Sequence, residues 1–176
     1  SGEYRSKELV SYMADTGDHV LLSTGMSRYA EIEKTIELLE KANAPHALFQ
    51  CTSEYPAELS NVGLNVIKEF RNRYGCPVGL SDHTMGVGAA VAAVAQGATV
   101  IEKHFTLARA DGGVDSTFSL EPHELAALVT ETERAWQSLG RVKYGPAEAE
   151  KASARFRRSL YIAADMRAGD VLTAEN

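Results

Sequence analysis

Two strand-like runs of this chain end in a histidine that follows polar residues, and the two histidines are His83 and His104. Side chains alternate across a β-strand, so Ser81 shares the face of His83 and Glu102 shares the face of His104. If the two strands are neighbours, these four side chains converge at one end of a sheet. Two imidazoles can bind a divalent metal and leave positions open for water and substrate. The alternative is a pair of histidines that only form hydrogen bonds.

Other polar groups follow the remaining strand-like runs. Ser23 ends one run, and Ser53 and Tyr55 follow another. Hydroxyls at such positions bind phosphate in many barrels, but they also cap helices. A glycine-containing loop carries Asp115 above the same end, as a substrate contact or as a plain turn.

Four strand-like runs alternate with four helical patterns. The runs are 19–24, 47–52, 77–81 and 98–105, and the helical patterns are 29–39, 62–70, 88–96 and 121–139. This alternation predicts an α/β fold with a parallel sheet. Polar residues at the carboxyl ends of the strands are typical of a (β/α)8 barrel or an open doubly wound sheet. Four units make half of a barrel, and residues 1–16 are predicted to form a helix before the first strand.

Composition excludes several functional classes. The chain has 176 residues, 44% of them hydrophobic, and a net charge of -6. Interspersed charges of this sign argue against nucleic-acid binding and against a polybasic membrane anchor. The apolar stretch 87–95 is too short to span a bilayer. Two cysteines without paired or metal-type spacing favour a reducing cytoplasm.

Four motifs in order carry a resemblance to a known family. They are Leu-Ser-Thr-Gly-Met at 22–26, Cys-Thr-Ser-Glu-Tyr-Pro at 51–56, Gly-Leu-Ser-Asp-His-Thr at 79–84 and Ile-Glu-Lys-His-Phe-Thr at 101–106. Together they resemble the sialic acid synthase family, which condenses phosphoenolpyruvate with an amino sugar. The loop 112–120 is more similar to the pseudaminic acid synthase branch, whose sugar substrate is 6-deoxy-AltdiNAc. N-acetylneuraminate and legionaminate synthases, and a spore-coat or surface polysaccharide synthase of the same family, remain alternatives.

The resemblance implies a role for each candidate residue. His83 and His104 would bind a divalent metal, Mn or Mg. Three hydroxyls would contact phosphoenolpyruvate, those of Ser23, Ser53 and Ser81. Tyr55, Glu102 and Asp115 would hold the open-chain sugar and serve as the catalytic set.

The resemblance also implies a domain organisation. Residues 1–145 would be the second half of a TIM barrel, 146–157 a linker, and 158–176 the start of a β-rich antifreeze-like domain that opens with a strand at 158–164. In the family, the general base glutamate and the phosphate-binding lysines lie on the first four strands, and an arginine comes from the antifreeze-like domain of the partner subunit. We therefore expect this chain to be part of a longer, homodimeric enzyme, and to be inactive alone.

Two other functions fit the residues less well. A Schiff-base aldolase needs a desolvated lysine on a strand. Lys103 is the strand-end candidate, but alternation turns it, like Asp82, to the opposite face from Glu102 and His104. Asp82 and Lys103 are thus predicted to be structural. The second alternative is a sugar-binding half domain without catalytic activity.

Overall fold

Four parallel strands alternate with helices in the computed structural model, which describes residues 6–176. The strands are β1 Val20–Ser23, β2 His46–Cys51, β3 Val78–Asp82 and β4 Val100–Lys103; the helices are α1 Lys7–Asp15, α2 Tyr29–Lys41, α3 Asn65–Tyr74, α4 Gly88–Ala95 and α5 Pro122–Leu139. The strand order is β1-β2-β3-β4, with every pair parallel. A doubly wound sheet reverses its strand order, whereas a barrel does not. The order therefore confirms the half-barrel prediction, and α1 matches the predicted leading helix outside residues 1–5.

One face of the sheet packs against the helices and forms the main core. Leu22, Leu48 and Leu80 project from this face and are at most 6% exposed. Ile36 of α2 and Ile67 of α3 pack in the same cluster. Burial of each such side chain contributes about 1.5–3 kcal/mol. This layer fixes the strands against the helices, and so fixes the level at which each strand ends.

The other face of the sheet is the inner face of the half barrel. Ser23, Phe49, Gly79 and Val100 lie side by side in the strand register. The Phe49 ring covers Gly79, where a Cβ would lie 2.9 Å from Phe49 Cε1 and 2.6 Å from the Val100 carbonyl oxygen. The glycine is required by this close approach. One layer further on, Cys51, Ser81 and Glu102 are neighbours, at the carboxyl end of the sheet.

The helices begin and pack as their sequences predict. The Ser6 hydroxyl caps α1 by accepting a hydrogen bond from the Leu9 N–H at 3.3 Å. Small residues of α4, Ala90 and Ala93, are fully buried, which lets the helix approach closely. Pro122 occupies the first turn of α5. No helix within residues 6–176 is both long enough and apolar enough to cross a membrane.

The chain divides into two compact units, one ending at Gly140 and one running from Arg141 to Asn176. In the second unit the predicted charged linker contains a 3-10 helix, Glu148–Phe156. The predicted strand at 158–164 is wrong, since those residues have no strand partner. A strand forms only where another strand supplies ladder hydrogen bonds, and here the Ala163 N–H donates to the Asn176 oxygen at 2.7 Å. The antifreeze-like identity of this segment stays a prediction.

Candidate metal centre

The register of β3 and β4 brings the two histidines together. Ser81 pairs with Glu102, and Asp82 pairs with Lys103. The residue after each member of the second pair is a histidine, so His83 and His104 lie at the same level. Their ring centroids are 5.2 Å apart. Two imidazoles that share one ion, with metal–nitrogen distances of about 2.1 Å and ligand angles of roughly 90–110°, have centroids roughly 4.6–5.3 Å apart. The observed spacing therefore fits a shared divalent ion.

His83 is held in one orientation and one tautomer. Its Nδ1 lies 2.8 Å from the Thr52 carbonyl oxygen, and its own carbonyl accepts a hydrogen bond from the Ala57 N–H at 2.9 Å. Because a carbonyl oxygen can only accept, Nδ1 carries the proton and the lone pair lies on Nε2. An imidazole that donates one N–H to a carbonyl and offers the other nitrogen is a common metal ligand in proteins.

His104 lies just beyond β4, at an intermediate exposure of 34% for its side chain. Its carbonyl accepts a hydrogen bond from the Leu120 N–H at 2.8 Å. Asp115 approaches the ring, with Oδ2 3.9 Å from Nδ1. That distance is too long for a hydrogen bond but leaves the carboxylate beside the site. Asp115 has a φ of 65°, a left-handed conformation that aspartate tolerates better than most residues.

Glu102 and Ser81 form a direct pair on the inner face. The Ser81 hydroxyl donates to Glu102 Oε1 at 2.7 Å. Ser81 is buried, while Glu102 is exposed at the inner face. The second carboxylate oxygen of Glu102 therefore has room to accept a hydrogen bond from a hydroxyl of a bound molecule.

Tyr55 covers the two histidines from the loop after β2. Its ring centroid lies 4.2 Å from that of His83 and 5.9 Å from that of His104. Partial burial raises the pKa of the Tyr55 hydroxyl, and nearby Cys51 and Asp115 raise it further. The phenol therefore stays protonated through neutral and mildly alkaline pH, where it can donate a hydrogen bond.

The predicted phosphate-contact hydroxyls lie at the same end of the sheet. Within residues 6–176, Ser53 Oγ is buried without a hydrogen bond of good geometry, and the Tyr55 hydroxyl is its polar neighbour. Gly25 makes room for it, since a Cβ at residue 25 would lie 2.4 Å from Ser53 Oγ. Ser23 ends β1 on the inner face, at the level of Phe49. An unpaired buried hydroxyl is costly, which suggests a ligand oxygen as its partner.

Sequence reasoning missed two contributors to this site. Phe118 is 4% exposed and packs against His104 with ring centroids 5.0 Å apart, and against Tyr55 at 5.8 Å. The Thr52 carbonyl orients His83, as described above. Phe118 was visible in the sequence as the aromatic residue of a polar loop, whereas a backbone acceptor carries no sequence signal.

The loop that carries Asp115 and Phe118 is anchored by Arg109. Its guanidinium contacts the carboxylates of Glu121 and Glu124 at the start of α5, and its Nε donates to the Ser119 carbonyl at 3.1 Å. Hydrogen bonds from the N–H groups of Arg109 and Glu121, together with the guanidinium, lower the pKa of Glu121 and of Glu124 below 4.5. A carboxyl group whose pKa is lowered in the folded state stabilises the fold at any pH above its ordinary pKa. That stabilisation is lost as the pH falls through the lowered pKa. The anchor is therefore intact at neutral pH.

Glu121, His123 and Glu124 could also be read as a metal-binding group, since their ligand atoms lie within 4.8 Å of one another. Both carboxylates already serve other partners. Glu121 accepts from the Arg109 N–H at 2.8 Å, and Glu124 caps α5 by accepting from the Glu121 N–H at 2.9 Å. We interpret this group as the anchor of the loop.

Replacing Arg109 by alanine is expected to loosen the loop 106–120 and to lower kcat/KM of the full-length protein roughly 10–100-fold, because Asp115 and Phe118 lose their position. The unfolding free energy should change by about 1 kcal/mol or less, since the ion pairs are partly exposed. Hydrogen exchange of residues 106–120, measured beside activity, tests this expectation.

Arg73→Ala is the matched control for this prediction. Arg73 pairs with Glu69 on the surface of α3, at 2.5 Å, away from the strand ends. The Arg73→Ala variant should have the activity of the wild type and the same rate of hydrogen exchange in residues 106–120. Equal activities for the wild type and Arg109→Ala would show that the anchor does not matter to the site.

Comparisons with known proteins identify the family. The NeuB family matches residues 1–144. Two relatives from Campylobacter jejuni match the whole chain: an N,N'-diacetyllegionaminic acid synthase is 36% identical over 54% of its own length, and a pseudaminic acid synthase is 35% identical over 52%. The crystal structure of an N-acetylneuraminic acid (sialic acid) synthetase from Leptospira borgpetersenii serovar Hardjo-bovis, in complex with citrate, superposes with a TM-score of 0.82. It is 39% identical and covers 90% of this chain and 55% of that one. The chain thus spans about half the length of these relatives, and it belongs to the NeuB family.

Proposed function

We propose that the full-length protein is a nonulosonic acid synthase, which condenses phosphoenolpyruvate with an open-chain amino sugar. The observation that carries this proposal is the convergence of both histidines with the Ser81–Glu102 pair at the carboxyl ends of the strands. Those strand ends form the active face of (β/α)8 enzymes. Membership of the NeuB family supports the same chemistry.

In this proposal His83 and His104 hold a divalent ion, Mn or Mg. The ring spacing and the Nδ1 hydrogen bond of His83 fit that role. The ion supplies Lewis-acid polarisation of the sugar aldehyde when bound. Tyr55 and Phe118 cover the rings and limit the access of bulk water.

The hydroxyl groups are assigned to phosphoenolpyruvate. The buried Ser53 hydroxyl, which lacks a hydrogen bond of good geometry within residues 6–176, can donate to an anionic oxygen, and Ser23 and Ser81 lie on the inner face of the sheet. Such donors stabilise the charge that develops on the phosphate as its bond to carbon breaks. In the family, further cationic groups come from the preceding half of the barrel.

The sugar is assigned to Tyr55, Glu102 and Asp115. Glu102 and Asp115 can accept hydrogen bonds from sugar hydroxyls, and the Tyr55 phenol can donate one. Held there, the aldehyde carbon faces carbon-3 of phosphoenolpyruvate. The double bond of phosphoenolpyruvate supplies the electron pair for a new bond from carbon-3 to the aldehyde carbon, and the aldehyde oxygen takes up a proton. Water adds its oxygen to carbon-2 and gives up a proton, and the bond between carbon-2 and the phosphate oxygen then breaks to release phosphate.

The pseudaminic acid branch is the specificity we propose, with 6-deoxy-AltdiNAc as the sugar. The loop 112–120 supports this choice, because it carries Asp115 and Phe118 against His104 and so borders the sugar position. The legionaminic acid synthase and the pseudaminic acid synthase from Campylobacter jejuni are 36% and 35% identical to this chain, so the degree of identity does not separate the two activities. We also propose that the full-length protein is a homodimer and that it is cytoplasmic; the free thiols of Cys51 and Cys76 support the second of these.

An assay of the full-length protein with phosphoenolpyruvate and Mn²⁺ tests both the reaction and the sugar. We expect phosphate release with 6-deoxy-AltdiNAc, and slower or no release with N-acetylmannosamine or the legionaminate precursor. Phosphate release with N-acetylmannosamine alone would refute the pseudaminic assignment. Metal binding without turnover of any sugar would instead favour a sugar-binding protein without catalytic activity.

A further inference from the structure

A buried ion pair lies behind the sheet, level with the ends of β3 and β4. Asp82 and Lys103 are the last residues of these strands and are register partners. Lys103 Nζ lies 2.7 Å from Asp82 Oδ2, and the two side chains are 2% and 0% exposed. Alternation places both on the face opposite Ser81 and Glu102, so neither side chain reaches the site itself. This confirms the expectation that Asp82 and Lys103 are structural residues.

The pair also holds the turn that follows β3. Asp82 Oδ1 accepts a hydrogen bond from the Thr84 N–H at 2.9 Å, and Lys103 Nζ donates to the Thr84 carbonyl at 2.6 Å. We call these three residues the Asp82 network. His83 therefore lies between two residues of the network, and His104 directly follows its third.

Stability alone does not account for such a pair. Well-packed apolar residues in place of a buried ion pair are often neutral or stabilising, because both charges must lose their hydration. What apolar residues cannot supply are the directed contacts of Asp82 with the N–H of Thr84 and of Lys103 with its carbonyl. A binding site needs its side chains held within about 0.5 Å.

We propose that Asp82 and Lys103 are positioning residues, which hold His83 and His104 at the spacing that one divalent ion requires. This inference rests on the metal site proposed above. The network ties together the ends of both strands and the turn at Thr84, and thereby the backbone on which both imidazoles sit. Its loss would let the rings drift apart while leaving the core of the half barrel in place.

The double variant Asp82→Leu/Lys103→Met in the full-length protein separates positioning from stability. It removes both charges together, so the melting temperature should stay near that of the wild type. The dissociation constant for Mn²⁺, measured by electron paramagnetic resonance, should rise about 10–100-fold, as for other residues that orient metal ligands. The d–d spectrum of bound Co²⁺ should change as well, which a change in stability alone would not cause.

Thr99→Val is the matched control for the double variant. Its hydroxyl donates to the Val78 carbonyl at 3.1 Å, and so joins the same two strands at their amino ends. Its Mn²⁺ affinity should equal that of the wild type. Asp82→Asn is a milder second variant, since its amide oxygen can still accept from Thr84, and we expect an intermediate loss of affinity.

Two outcomes would overturn the inference in different ways. If His83→Ala loses Mn²⁺ but the folded double variant or Asp82→Asn binds it as tightly as the wild type, the positioning role is wrong and the metal site stands. If the wild type does not bind Mn²⁺, or His83→Ala binds it unchanged, the metal site and the positioning role both fail.

Discussion

His83→Ala in the full-length protein is expected to bind Mn²⁺ at least about 100-fold more weakly, because changes that merely orient a ligand already cost 10–100-fold. His83 is almost fully buried, and its ring centroid lies 5.2 Å from that of His104. Metal-dependent phosphate release should fall in parallel with binding, and a titration followed by electron paramagnetic resonance measures the affinity directly.

His19→Ala is the control for this variant. His19 is exposed and lies just before β1, at the opposite end of the sheet. It should bind Mn²⁺ and turn over substrate as the wild type does. If His83→Ala kept wild-type Mn²⁺ affinity and turnover, the histidine would be removed from the ligand set.

Gly25→Ala is expected to lower kcat/KM for phosphoenolpyruvate by about 100-fold, an effect typical of misplacing a site group by about 1 Å. The new Cβ would lie 2.4 Å from Ser53 Oγ and 3.0 Å from Cys51 Sγ. Cys51 is held by β2, so Ser53 must move. The KM for phosphoenolpyruvate should rise most, while Mn²⁺ affinity stays close to that of the wild type.

Gly88→Ala and Ser53→Ala complete the Gly25 experiment. Gly88 begins α4, has open space around it and should accept alanine without loss of activity. If the clash with the hydroxyl is the cause, Gly25→Ala/Ser53→Ala should be no worse than Ser53→Ala alone. A wild-type KM for Gly25→Ala would show that the hydroxyl of Ser53 does not contact phosphoenolpyruvate.

The fold was largely predictable because its signals are local. Apolar runs alternating with helical patterns predicted all four strands, and alternation within β3 and β4 correctly placed Ser81 with Glu102 and Asp82 with Lys103. The choice between a barrel and a doubly wound sheet was not local, since strand order depends on which strands meet. Only the order of all four strands decided it.

The site was predictable in its strand-end residues but not in its loops. His83 and His104 follow strands whose pairing sets their separation. Tyr55 and Phe118 lie in loops, and their packing on the imidazoles depends on turns and on the Arg109 anchor. The failed prediction of a strand at 158–164 has a related cause, because a β-prone segment becomes a strand only beside a partner.

The order of the strands has a consequence for how the protein is made. Each of β2, β3 and β4 pairs with the strand synthesised just before it, with one helix between the two in the chain. Such neighbouring pairings keep the loop closed by each step short, which favours rapid formation. On the ribosome, this half of the barrel can therefore grow one βα unit at a time, and His83 and His104 come together only when its last strand has been added.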